Sequence, residues 1–165
     1  MHLSACPASS DLIETCAQAR EYYRLILAGS HSVTSKSKAV DIVFEGNNTH
    51  VFSVEVPDIN AIPEDELVTR DRGDGTRECR QFALVRARLM DSVLPAISSY
   101  DRCALGKGPP HRANREIYGP CMPCGRHMKV VLRPGPKTAW TCVTAFPVTV
   151  EDFRKASWHK PAQFP

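Results

Sequence analysis

The densest group of side chains able to do chemistry lies in residues 125–148, GRHMKVVLRPGPKTAWTCVTAFPV. Arg126, His127, Lys129 and Arg133 share one short run, which a Pro-Gly-Pro turn separates from a β-branched and aromatic run. On a strand, His127, Lys129, Val131 and Arg133 point to one face, while Met128, Val130 and Leu132 point to the other. Thr144 on the returning strand is a candidate neighbour, although register is not fixed by sequence. Such a face suits a phosphodiester. Arg and Lys offset charge on a phosphorane-like transition state, His passes a proton near neutral pH, and Thr hydrogen-bonds a phosphate oxygen. No metal is required for this chemistry, and the chain has no HExxH, paired-Asp cluster or Gly-rich phosphate loop. The competing reading is a solvated outer face of a two-layer sheet.

Other residues could extend the set. His50 and His111 are candidate second proton carriers, against readings as a turn and a loop histidine. Arg112, Arg115, Arg133 and Lys137 are candidate phosphate contacts. Tyr118 and Trp140 could stack on unpaired bases or cover core edges. Cys121-x-x-Cys124 precedes the cationic strand and looks like half of a zinc knuckle. The remaining ligands would come from Cys103, Cys142, His111 or His127, none at diagnostic spacing. A redox pair or two plain turn cysteines are the alternatives. If His127 were a zinc ligand, it could not be the catalytic imidazole.

Charge is unevenly spread. Residues 1–101 carry 10 Lys/Arg against 15 Asp/Glu, and residues 102–165 carry 11 against 3, giving the net +3. A basic half fits a polyanion partner, or a basic face opposite an acidic one. The seven cysteines, with no signal peptide or apolar membrane span seen, read as reduced thiols in a cytoplasmic protein.

These residues need elements to place them. The length fits one domain, 1–165: an acidic helix–hairpin–helix half (11–100), a basic loop plus closing hairpin (101–158), and a frayed tail (159–165). A helix is expected over 11–28, capped near Asp11 and Glu14. HSVTSKSKAV reads as a polar loop. A hairpin follows over 40–56 through Gly46-Asn47-Asn48, then a helix over about 77–93 that Pro95 ends or kinks. ALGKGPPHRANREIYGPCMPCG reads as surface loop, and VEDFRKASW as a short last helix. The expected fold class is α+β: an N-terminal helix and two β-hairpins forming a roughly four-stranded antiparallel sheet, with helices packed on one face.

RHMKVVL, a turn, and WTCVTAFPV together resemble the closing hairpin of the barnase–EndoU–colicin–RelE superfamily of small ribonucleases. Its toxin and phage-associated branches often end in a strand like VTAYPV or VTAFPV. The resemblance covers about 25 of the 165 residues. It implies an α+β fold with a four-stranded antiparallel sheet, and metal-independent RNA cleavage in which the 2′-hydroxyl attacks the adjacent phosphate to leave a 2′,3′-cyclic end. Arg126, His127 and Thr144 fall on the motif, with Lys129 close by. The CxxC insertion departs from the family pattern.

The leading expectation is therefore a toxin-like endoribonuclease of a phage or mobile element, acting on RNA, needing no cofactor for catalysis and open to a cognate inhibitor or immunity protein. The alternative is a zinc-stabilised nucleic-acid- or protein-binding module without catalysis. A third is a toxin-like fold that binds without turnover, its basic half masked by the acidic one.

Overall fold

The polar run expected as a loop is mostly strand. The computed structural model describes residues 6–71, 73–107, 113–156 and 159–165. In it β1 (Gly29–Ser35) turns directly into β2 (Lys38–Phe44), paired along its whole length. Lys36 and Ser37 make the turn with φ of 47° and 67°, the left-handed pair of a type I′ hairpin. A Lys-Ser turn lacks the Asn-Gly signature, so the sequence conceals it.

Gly46-Asn47-Asn48 does not close a hairpin. The chain passes through a 3₁₀ turn, Thr49–Val51, into β3 (Ser53–Glu55) and a second sheet. That sheet orders β3, β5 (Arg77–Phe82) and β4 (Leu67–Asp71), all antiparallel. The expected helix over 77–93 is corrected accordingly. Its first part is strand, and helix is limited to α2 (Leu84–Arg88) and α3 (Val93–Ser98) around a 3₁₀ turn. The pattern misleads because β5 buries charge: Glu78 and Arg80 occupy alternate inward positions. Pro95 sits in the first turn of α3, where its missing N–H has no partner to lose.

The stretch expected as surface loop also supplies strands, β6 (Arg102–Leu105) and β7 (Arg115–Cys121). The closing hairpin forms as expected, β8 (Arg126–Pro134) and β9 (Trp140–Val148). The main sheet thus has six strands in the order β1-β2-β9-β8-β7-β6, antiparallel except for the β2–β9 pairing. The fold is mostly β, with a six-stranded mixed sheet and a three-stranded sheet. This replaces the four-stranded antiparallel α+β arrangement expected from the sequence.

α1 (Cys16–Tyr22) is shorter than the expected 11–28 helix. Its cap is Thr15 with Gln18 in a reciprocal capping box, and a π turn, Tyr23–Leu27, continues it. One face of the main sheet carries Ile42, Phe44, Ile117, Met128, Val130 and Leu132 into the core. α3 crosses β7 so closely that a Cβ on Gly119 would stand 1.9 Å from the Ala96 carbonyl oxygen. On the opposite face α4 (Val150–Lys155), N-capped by Thr149, lays Phe153 on a small cluster of Tyr118, Val148, Ala156 and Phe146. Residues 159–165 follow β6, with a bridge from Pro161 to Ala104 and Phe164 buried against Tyr100 and Trp140. No helix among the described residues is long and apolar enough to cross a membrane.

Candidate nucleic-acid interface

Strand register decides which chemistry-bearing residues meet. Across β6, β7, β8 and β9 the partners run Arg102, Tyr118, Lys129, Phe146. Arg86 of α2 extends the row, with its guanidinium 4.8 Å from the Phe146 ring centre. Lys129 Nζ stands 5.9 Å from both the Tyr118 and the Phe146 ring centres. Cation and aromatic therefore alternate across this face, on which Arg102, Lys129 and Phe146 are half-exposed and Tyr118 is buried against Phe153. Alternation along β9 is broken by a bulge: Val131 faces Thr144 while Leu132 faces Cys142. The extra residue sends Cys142 to the core and leaves Thr144 and Phe146 beside the Lys129 face.

Each cation of β8 on this face has a carboxylate. Lys129 Nζ lies 3.0 Å from Glu116 Oε1, His127 Nε2 lies 2.9 Å from Asp101 Oδ2, and Arg133 pairs with Glu45. His127 is further fixed by Phe153, stacked at 3.6 Å between ring centres and 4° between planes. The imidazole expected in an open groove is thus covered on one side by α4. Arg126, one residue earlier, alternates away from it and is exposed.

Glu116 is the centre of a second cluster. It is 6% exposed, and besides Lys129 its Oε1 takes Tyr118 Oη at 3.4 Å and stands 3.6 Å from His159 Nδ1. His159 Nδ1 is buried and makes no hydrogen bond. Burial, then the charges of Lys107, Lys129 and Arg102, outweigh Glu116 and hold this imidazole below its usual pKa, so it is neutral at pH 7. A cavity of about 240 Å³ opens on Glu116 between Lys107, Asn114, Val131 and Val143, and one of about 390 Å³ opens on His159 beside Arg102. Sequence reasoning missed Glu116, Arg102, Arg86 and His159, which fell in segments expected as loop, helix or tail. The alternation of Glu116 and Tyr118 around Ile117 was the one available signal.

Arg86, like Arg102, which donates to the Phe153 carbonyl at 2.9 Å, bonds backbone rather than carboxylate. It donates to the carbonyls of Ser53, at 2.9 Å, and His50, at 3.3 Å, and no described carboxylate lies within ion-pair distance. Burial, and after it the charge of Arg80, lowers its pKa, although a guanidinium stays protonated. It is a half-buried cation held by backbone carbonyls.

The remaining expected residues are dispersed. His50 bonds Glu78 of β5, the middle strand of the second sheet, at 3.0 Å. The Thr144 hydroxyl donates to the His50 carbonyl at 3.4 Å. Arg115 and Trp140 meet each other, 5.3 Å from guanidinium to ring, and Arg115 alternates away from the Glu116 face. Lys137 is exposed in the hairpin turn with φ of 57°. His111 and Arg112 lie outside the described residues. Cys121 and Cys124 flank the β7–β8 turn, with Cys124 Sγ 3.7 Å from the Cys121 carbonyl oxygen. Burial, with Cys124 adding to it, pushes the Cys121 thiol up to about 11. No group of three or more His, Cys, Asp or Glu among the described residues could hold a metal ion.

No family model, curated protein or solved structure matches the chain.

Proposed function

We propose that the chain is a metal-independent endoribonuclease working from the outer face of β6–β9. The observation that carries this reading is the row Arg102, Tyr118, Lys129, Phe146, Arg86. The half-exposed Phe146 ring takes a base, the cations beside it take phosphates, and Arg86 is a half-buried guanidinium with no ion pair among the described residues. The RNA specificity comes from the mechanism: the 2′-hydroxyl is the nucleophile.

The acid and base must each reach an oxygen of the same phosphorus within about 3 Å. Glu116 and the position opposite His127, Pro120, are four residues apart on β7, about 13 Å along a strand. That separates His127 from Glu116, and Asp101 and Phe153 already hold its ring, so it is left out of the acid–base pair. Neutral His159 then takes the 2′-hydroxyl proton. The 2′-oxygen–phosphorus bond forms as the phosphorus–5′-oxygen bond breaks, and Lys129 protonates the leaving oxygen. Lys129 and Arg102 offset the phosphorane charge. His127, held by Asp101 and Phe153, anchors α4 over the neighbouring row.

A second reading is favoured by the pairing of Lys129 with Glu116 and of His127 with Asp101: the face binds RNA without cutting it. One assay separates the two. Labelled RNA is incubated with the protein in EDTA, and the ends are analysed. Cleavage leaving 2′,3′-cyclic phosphates, reduced at least about 100-fold in His159→Gln, is the expected result. Retention of RNA without cleavage would leave the binding reading, and cleavage unchanged in His159→Gln would remove the mechanism.

A further inference from the structure

Cys121 ends β7, and Cys124 stands in the turn that leads to β8. The Gly125 N–H donates to the Cys121 carbonyl at 3.0 Å and to the Met122 carbonyl at 3.4 Å, so residues 121–125 make one helical turn that is not continued. Gly125 closes it with φ of 64°. Positions i and i+3 of a helical turn have Cα atoms about 5 Å apart, inside the range a disulfide spans. The two thiols are neighbours. Cys124 Sγ lies 3.7 Å from the Cys121 carbonyl oxygen, and its contact with the Cys121 side chain adds to burial in raising that thiol's pKa. Their access differs. Cys121 is 1% exposed and Cys124 half-buried, while Met122 between them is 87% exposed, so the turn projects into solvent. The other five cysteines are spread over separate elements, from Cys16 on α1 to Cys142 on β9. Cys121 shares the core face of β7 with Ile117, behind the face that carries Glu116 and Tyr118.

We propose that Cys121 and Cys124 form a reversible disulfide by exchange with a low-molecular-weight disulfide such as glutathione disulfide. The Cys124 thiolate attacks one sulfur of that disulfide. Its S–S bond breaks, and the first glutathione leaves with the proton that Cys124 lost. The Cys121 sulfur then attacks the Cys124 sulfur of the mixed disulfide and expels the second glutathione, which takes the Cys121 proton. Two protein thiols are oxidised by two electrons, and one glutathione disulfide is reduced to two thiols. The surroundings that disfavour a Cys121 thiolate hold the uncharged disulfide without that penalty.

The test incubates the full chain with glutathione disulfide, with and without EDTA, blocks the remaining thiols with N-ethylmaleimide and counts them by mass spectrometry. The count should fall from seven by the two of the pair, with peptide mapping placing the link between 121 and 124 and dithiothreitol restoring the full count. These two thiols should be lost at least about tenfold faster than any other, as the more accessible pair. Cys124→Ser, a change in the exposed turn, should form no link. Cys121→Ser should keep one glutathione on Cys124, with no second thiol to release it. An undiminished count in the wild type, a link between other cysteines, or a glutathione adduct that persists on wild-type Cys124 overturns the inference. So does a pair that reacts only after EDTA is added, which would mark a metal site instead.

Discussion

Buried ionisable side chains are set against one another throughout this chain, and two of them make its acid response readable. Glu78 is 9% exposed. Burial alone would raise its pKa, but His50 and Arg80 outweigh that and hold it below the usual value. Its contribution is present above the unfolded pKa of about 4.3 and fades as pH falls through the folded value. For His159 burial comes first and nearby cations second, and the imidazole is held below its usual pKa. The unfolded chain therefore binds the proton first. Stability from this group is complete above about pH 6.5 and declines as pH drops toward the folded value. Thermal unfolding of wild type and His159→Gln between pH 8 and 4 checks the sign. The wild type's margin over the variant should shrink on acidification below about pH 6.5, and a margin that grows there contradicts the assignment. Glu78→Gln removes the carboxylate shared by His50 and Arg80 and should cost about 3 kcal/mol at pH 7, measured by denaturant unfolding.

Elements are built on close approaches that composition does not reveal. Gly119 lets α3 sit on β7 with no room for a Cβ, the obstacle being backbone rather than a yielding side chain. Gly119→Ala should destabilise by about 3 kcal/mol, lowering Tm by roughly 10 °C in a domain of this size; a change under about 2 °C would show that α3 shifts freely. The legibility of the sequence divides along the same lines. The β8–β9 hairpin was readable because Met128, Val130 and Leu132 alternate with polar partners between a clear turn and a proline. β5 was not, because its inward positions hold Glu78 and Arg80. β1 was not, because its serines and threonine sit on an edge and turn through Lys36-Ser37. The candidate site was legible where it lies on that hairpin, in Lys129 and His127. It was hidden where it depends on β7, α2 and residue 159, since only register and tertiary packing bring Glu116, Arg86 and His159 to it.

At the scale of the whole molecule, the acidic and basic halves of the sequence are interleaved rather than opposed. Glu45 and Asp101, from the acidic half, pair with Arg133 and His127 of the basic one. A net charge of +3 is therefore a poor guide to where an anion binds, and cations without a carboxylate among the described residues, Arg86 and Arg102 on this face, are a better one. The proposed face spans four strands of one sheet and receives Arg86 from α2, the helix that follows β5 of the other sheet. RNA bound there would bridge the two sheets. The most direct measurement uses a DNA oligonucleotide carrying a single ribonucleotide, incubated in EDTA with wild type and with Glu116→Gln/Lys129→Met, a double change that leaves no orphaned buried charge. The account predicts one cut, 3′ to the ribonucleotide, with a 2′,3′-cyclic end, made by the wild type and at least about 100-fold slower in the double variant. Cuts at deoxynucleotides, no cut at all, or an undiminished rate in the double variant would contradict it.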